Sequence, residues 1–223
     1  MPTQEKQPLH SPNACPSEAI FLVAQHFKAQ AIVCPHTLQP HSWELLSRQP
    51  LNFSEKTALL AQDIAALQAC SLLSRTLGIP THCNAEIFSL MHLQWLKAAR
   101  SADLSSVVIE IVERNDLLES PAIFERIGNV FDELRRRGAK IAIDDVKLTE
   151  LEIREIQAFS PDFIKIEDPR IAMEVRKFHA GKVIAELVAS ELLAHEAIAH
   201  GADFMQGFWI DGQTKNNPLQ AAR

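Results

Sequence analysis

From residue 107 onward, carboxylates recur at the tails of short apolar runs: VVIEIVE (107–113), KIAIDD (140–145), DFIKIE (162–167) and VIAEL (183–187). Adjacent acids such as Asp144 and Asp145 repel one another, so a pair ending a buried strand calls for a cation or for two separate partners. A plainer arrangement would have one aspartate cap the next helix while the other faces water. Glu110 shifts that balance, because an unpaired charge inside VVIEIV is expensive to bury. Glu186 within VIAEL and Lys165 within FIKIE make the same demand. Three ionisable groups in three apolar runs imply one shared polar centre, and clustered carboxylates of this kind build metal sites.

The elements that would gather them are legible in outline. Each run is short, rich in Val, Ile and Phe, and followed by a segment with helical spacing. A parallel α/β sheet brings the C-terminal ends of its strands to one face, where residues tens of positions apart become neighbours. From residue 79 the alternation is regular. IPTHCNA is followed by a helix near 86–100, VVIEIVE by one from about 119 to 137, and KIAIDD by one near 149–158. DFIKIE, KVIAELV and ADFMQGFWI complete the series, with helices near 169–179 and 190–200 between them. This βα repeat favours a closed barrel, although periodicity does not by itself separate a barrel from an open doubly wound sheet. Upstream, residues 1–18 read as a flexible arm and 19–223 as one domain. AIFLVAQHF (19–27), AIVCP (31–35) and HSWELLSR (41–48) read as strands. Apolar residues at helical intervals predict a helix or two from Ser54, a plausible N-cap, to Leu77.

Composition narrows the function classes. The 223 residues suit one barrel-sized domain, and 47% hydrophobic with 22% charged residues is ordinary for a globular protein. The longest uninterrupted apolar stretch, Ala19 to Ala24, is far short of the roughly 20 residues that cross a bilayer. Residues 1–18 lack the apolar segment of a signal peptide. The expectation is a cytoplasmic protein with no membrane contact. Cys15, Cys34, Cys70 and Cys83 show no metal-ligand spacing and read as free thiols. A formal net charge of −6 argues against a DNA or RNA binder. It leaves room for an anionic ligand, because bound cations reverse the sign of an acidic site. HEAIAH (195–200) fails as a zinc motif, since its histidines lie too far apart to share a helix face. Asn52 opens a sequon that a cytoplasmic chain would not use. Arg135, Arg136 and Arg137 close a helix where cations suit its dipole, with a phosphate patch as the alternative. No glycine-rich phosphate loop, GxSxG elbow or dinucleotide fingerprint is present.

Taken together, IAIDD, PDFIKIE, KVIAE and GADFMQGFWI, in that order and spacing, resemble the EAL-domain family of bacterial cyclic di-GMP phosphodiesterases. The resemblance runs over about residues 19–212 and implies a (β/α)8 TIM-like barrel with two divalent metals, Mg2+ or Mn2+. The signature itself has drifted, to Glu44-Leu45-Leu46-Ser47-Arg48. By the resemblance, Glu44, Asn84 (in THCNA), Glu110, Asp144 and Asp145 would be metal ligands, with Asp144 bridging. Lys165, Glu186 and Gln206 would line the reaction centre, Arg48 would contact a phosphate, and Glu113 would anchor the loop after the aspartate pair. Two adjacent divalent cations suit in-line hydrolysis of a phosphodiester.

The departures are equally specific. Where the family has DDFGTGYSS, this chain reads DDVKLTELE (144–152), so both glycines are gone. VIAEGVE has become VIAELVA, placing Ala189 where a second glutamate belongs. Cys34 stands where a glutamine is expected, and the connection from Pro35 to Glu44 is short. The resemblance therefore implies hydrolysis of cyclic di-GMP to pGpG. The alternative is a degenerate domain acting as a non-hydrolysing cyclic di-GMP receptor or protein-binding regulator. The length leaves no room for an appended sensor or cyclase region, so regulation would come through a homodimer, a protein partner or expression.

Overall fold

The computed structural model describes residues 16–49, 55–112, 116–214 and 217–219. Its first element corrects an expectation. Residues 19–27 do not form a strand: Pro16–His26 is a helix, α1, which starts inside the stretch read as an arm. Ala19, Leu22, Ala24 and Gln25 are good helix formers. The run also buries one face only, with Val23 1% and Phe21 49% exposed, as a helix lying on a barrel requires and a core strand does not. Two strands follow, β1 (Phe27–Val33) and β2 (Pro40–Ser47), paired antiparallel with Gln30 opposite Glu44. Their tight connection is closed by Cys34 N–H on the Gln39 carbonyl and Leu38 N–H on the Cys34 carbonyl.

The rest repeats strand and helix. Helix α2 (Lys56–Leu77) ends on Gly78 in the left-handed conformation and leads into β3 (Thr81–Glu86). Ser54, read as its cap, lies outside the described residues. Then come α3 (Ile87–Leu90), α4 (Leu93–Ser101), β4 (Val107–Val112), α5 (Pro121–Arg136), β5 (Lys140–Ile143), α6 (Glu150–Phe159) and β6 (Phe163–Ile166). A 3-10 turn and α7 (Ala172–Val175), β7 (Lys182–Ala185), α8 (Glu191–Ala199), β8 (Phe204–Met205) and α9 (Phe208–Gln213) complete the chain. The strands close in sequence order into an eight-stranded α/β barrel, parallel from β2 to β8, with β1 antiparallel to both neighbours.

Helices coat the barrel through apolar stripes. In α5 the buried residues are Ile127, Val130, Phe131 and Leu134, spaced i, i+3, i+4, i+7. The arginines ending α5 are spent on carbonyls: Arg135 donates to Phe159 and Ser160, Arg137 to Arg100 and Ala102, and Arg136 to Asp132. Arg137 and Arg135 thereby tie down the ends of α4 and α6, while Arg136 bonds within its own helix. Helix α2 is long and apolar enough, by length and composition alone, to cross a membrane. Here Leu59, Leu60, Leu67 and Leu73 are buried in the core.

Strand alternation divides the barrel interior into two layers. Ile32, Val108, Ala142, Phe163 and Ile184, with Phe204 against them, form an apolar plug. Two residues further toward the C-terminal rim on the same faces stand Gln30, Glu110, Asp144, Lys165, Glu186 and Gln206. The acids at strand tails are thus the polar layer on an apolar floor.

Candidate active site at the barrel mouth

Lys165, 1% exposed, occupies the centre of that layer. Its Nζ lies 2.8 Å from Glu110 Oε2, 2.8 Å from Glu186 Oε1, 3.2 Å from Glu44 Oε2 and 3.2 Å from Asp144 Oδ1. Asn84 Nδ2 donates to Glu44 Oε1 at 3.3 Å, and Gln206 Nε2 donates to Glu44 Oε2 and to Gln30 Oε1. Beneath Glu110, His82 Nδ1 approaches Oε1 to 2.6 Å. Gln206 is delivered by Gly207, whose φ of +147° and close approach to Val188 leave no room for a Cβ.

One ammonium cannot neutralise four carboxylates, and the titration behaviour reflects that. Burial, then the charge of Glu44, pushes Glu110 well above the carboxylate range. Burial also raises Glu186, to about 8. Burial opposes ionisation of Glu44 too, but Lys165 and the Gln206 hydrogen bond hold its pKa down. Burial works against charge on Lys165, yet Glu110, Glu44, Asp144 and Glu186 outweigh it and raise its pKa. Lys165 is therefore a fixed cation and not a base.

The donor set fits a divalent cation. Asn84 Oδ1 is buried with no hydrogen-bond partner among the described residues, and oxygens of Asp144, Asp145 and Glu186 lie within 4.8 Å of one another. All of these are hard oxygen donors, which suit Mg2+ or Mn2+. Asn84, Asp144 and Asp145 line a cavity of about 390 Å3 that opens toward α2, with Lys28, Asp63 and Glu86 on its wall.

The structure thus brings together Glu44, Asn84, Glu110, Asp144, Lys165, Glu186 and Gln206. Asp145 sits beside them on the exposed side, at φ +49°. Arg48 is turned elsewhere. Its Nε donates to the Ala24 and Phe27 carbonyls at the junction of α1 and β1, and it lines a separate cavity with Trp43, Asp211 and Asn217. Glu113 lies outside the described residues. Two contributors escaped the sequence reading, Gln30 and His82. His82 precedes Asn84 by two positions in a strand, a spacing that could have placed it on the same inner face. Gln30 fell in the gap between the strands read at 19–27 and 31–35, whereas β1 runs through it.

A sequence model of the EAL domain matches residues 56–180, more than half of the chain. The chain belongs to the EAL-domain family. The matched span contains Asn84, Glu110, Asp144, Asp145 and Lys165, while Glu44, Glu186 and Gln206 lie beyond it and join it through the hydrogen bonds and ion pairs above. No curated protein sequence matches the chain.

The fold agrees with solved EAL structures. Similar ones include the EAL enzyme Bd1971 in its cGMP-bound form, with 18% identity, a TM-score of 0.61, and coverage of 87% of this chain and 64% of that one. BlrP1 of Klebsiella pneumoniae, in a manganese and cyclic di-GMP complex, gives 22% identity and a TM-score of 0.65, covering 82% of this chain and 54% of that one. An EAL-domain protein of Listeria monocytogenes EGD-e gives 16% identity and a TM-score of 0.67, covering 89% and 93%. This EAL chain thus spans less than two thirds of the Bd1971 and BlrP1 chains.

Proposed function

We propose that the chain hydrolyses cyclic di-GMP to linear pGpG, as a cytoplasmic, Mg2+- or Mn2+-dependent phosphodiesterase. The observation that carries this reading is the buried Lys165 ammonium facing four carboxylates, beside an Asn84 amide oxygen with no partner among the described residues. Such an excess of negative charge is costly to bury unless cations balance it. Glu44, Asn84, Glu110, Asp144 and Asp145 would hold two ions, whose role when bound is to polarise the phosphodiester and activate water.

The chain's own groups supply the rest. Lys165 stays cationic and offsets charge developing on the phosphoryl oxygens. Glu186, with its pKa near 8, is suited to accept a proton from the attacking water close to neutral pH. Water oxygen bonds to phosphorus, the bond to the ribose 3′ oxygen breaks, and that oxygen leaves with a proton. Gln206 keeps Glu44 in place by donating to it. Contact between Arg48 and a phosphate would require its side chain to leave the Ala24 and Phe27 carbonyls.

One observation favours the second reading, a receptor or protein-binding regulator without turnover. The rewritten loop is closed on itself: Glu152 Oε2 accepts from Lys147 N at 3.1 Å, Thr149 N at 2.8 Å and Thr149 Oγ1 at 3.0 Å. A loop satisfied internally has fewer groups to offer a ligand or a second metal. The deciding experiment incubates purified protein with cyclic di-GMP and each metal, and follows pGpG by chromatography. Turnover is expected, with Asp144→Asn reducing it by at least about a hundredfold. Tight binding without turnover selects the receptor, and no binding selects the protein-partner role. Equal turnover by the wild type and Glu44→Ala would refute the assigned metal site.

A further inference from the structure

His82 is a buried titratable group that the chemistry above does not use. It lies on β3, fully buried, with its ring 5.5 Å from Phe163 in the apolar plug. A histidine in such a layer is expensive unless its ring nitrogens are engaged. Nε2 is buried without a hydrogen-bond partner among the described residues, so the engagement rests on Nδ1, 2.6 Å from Glu110 Oε1. Glu110 enters the layer from β4, opposite Asn84 in the register, and its second oxygen, Oε2, is 2.8 Å from Lys165. The carboxylate is therefore held at both oxygens, from below by an imidazole and from the centre by an ammonium.

We propose that His82 is a positioning residue for Glu110: an Nδ1–H donated to Oε1 sets the carboxylate plane and directs Oε2 at Lys165 and the metal site. The inference rests on the metal-dependent reading of the site. Groups that orient a ligand from behind commonly change metal affinity by about 10- to 100-fold when removed. If His82 merely filled space, an apolar residue of similar volume would serve as well. The register supports the stronger role, because His82 and Asn84 share one strand face and reach Glu110 and Glu44 respectively. A single strand thus sets two of the assigned ligands.

The test uses the full chain and Mn2+ alone, with affinity read by electron paramagnetic resonance and folding by circular dichroism. His82→Leu keeps bulk without a donor and is expected to weaken Mn2+ binding by about 10- to 100-fold. His82→Asn places an amide N–H near Nδ1 and is expected to recover affinity to within about threefold of wild type. Wild-type affinity in His82→Leu, or no recovery in His82→Asn, overturns the proposal. Should His82→Leu not fold, nitrogen-15 NMR of the wild-type imidazole with Mg2+ decides instead. A proton on Nδ1 supports the proposal and a proton on Nε2 overturns it. A wild type that binds no Mn2+ overturns both this inference and the metal-dependent function. His82-dependent Mn2+ binding without hydrolysis of cyclic di-GMP leaves the inference standing and removes only the hydrolytic reading.

Discussion

Lys165 concentrates the chemistry of this barrel at one atom. Its Nζ is the partner of four carboxylates at 2.8–3.2 Å, and removing it would leave them facing one another in a buried layer. Lys165→Met is therefore expected to abolish hydrolysis and to cost the metal-free protein about 3–5 kcal/mol at pH 8, because breaking a buried ion pair strands its partner. The loss should shrink at pH 5, well below the Glu186 value of about 8, where that carboxyl holds its proton. Urea denaturation in a chelator at the two pH values checks this, and an unchanged midpoint at pH 8 would contradict it. Most of this residue-level picture was legible beforehand, because a charge inside an apolar strand is anomalous wherever it occurs. Glu110, Lys165 and Glu186 announce themselves in that way. His82 did not, since a histidine in a strand has an ordinary explanation as a core residue until Glu110 is seen above it.

Elements decide what such residues can reach. Helix α2 carries Asp63 to the end of β3, where its Oδ2 accepts from Glu86 N at 3.1 Å and Ser89 adds a side-chain hydrogen bond. Burial raises the Asp63 pKa to about 6 from a usual 3.8. The folded state thus holds the proton more tightly than the unfolded chain. Stability is fully present below the unfolded pKa and is lost as pH rises through the folded value. A shift of about two units corresponds to roughly 3 kcal/mol. Asp63→Asn removes that dependence while keeping an acceptor for Glu86. It is expected to exceed wild type in stability by up to roughly 3 kcal/mol at pH 8 and to lose the advantage near pH 4. Paired denaturation curves at the two pH values measure this, and equal stability at pH 8 would refute it. Asp63 drew no notice in the sequence, because a polar residue on an amphipathic helix looks solvated until the packing of β3 against α2 is known. The misreading of residues 19–27 has a similar origin. A short apolar run fits either a strand or a helix, and only its one-sided burial on the barrel resolves it.

The whole molecule depends on closure, and closure is uneven. Strands β3 and β4 pair from Thr81–Val107 through Glu86–Val112, whereas among the described residues β8 meets β1 at Val33 opposite Met205 alone. Side chains reinforce that seam: Gln206 donates to Gln30, Gln30 to Asp211 at 2.7 Å, and Asn217 to the Ala29 carbonyl at 2.8 Å. Because Gln206 also donates to Glu44, the seam and the active site share a residue. Hydrogen-exchange mass spectrometry is expected to find the amides of β8 exchanging at least about tenfold faster than those of β3 and β4. Gln30→Ala should widen the gap. Equal protection around the barrel would show that the seam is no weaker than the other junctions.

The sequence by itself determined the strand-and-helix alternation, the acids at strand tails and the family resemblance. Each is written in local spacing or in a short ordered motif. The tertiary structure decided which of those acids meet one cation, because convergence on Lys165 needs strand register across the closed barrel. It also decided that Arg48 caps the junction of α1 and β1, an outcome that turns on competition between nearby hydrogen-bond acceptors, which spacing along the chain does not encode. The closure of the 146–152 loop on Glu152 is by contrast local, a Thr149-x-x-Glu152 capping box at the start of α6.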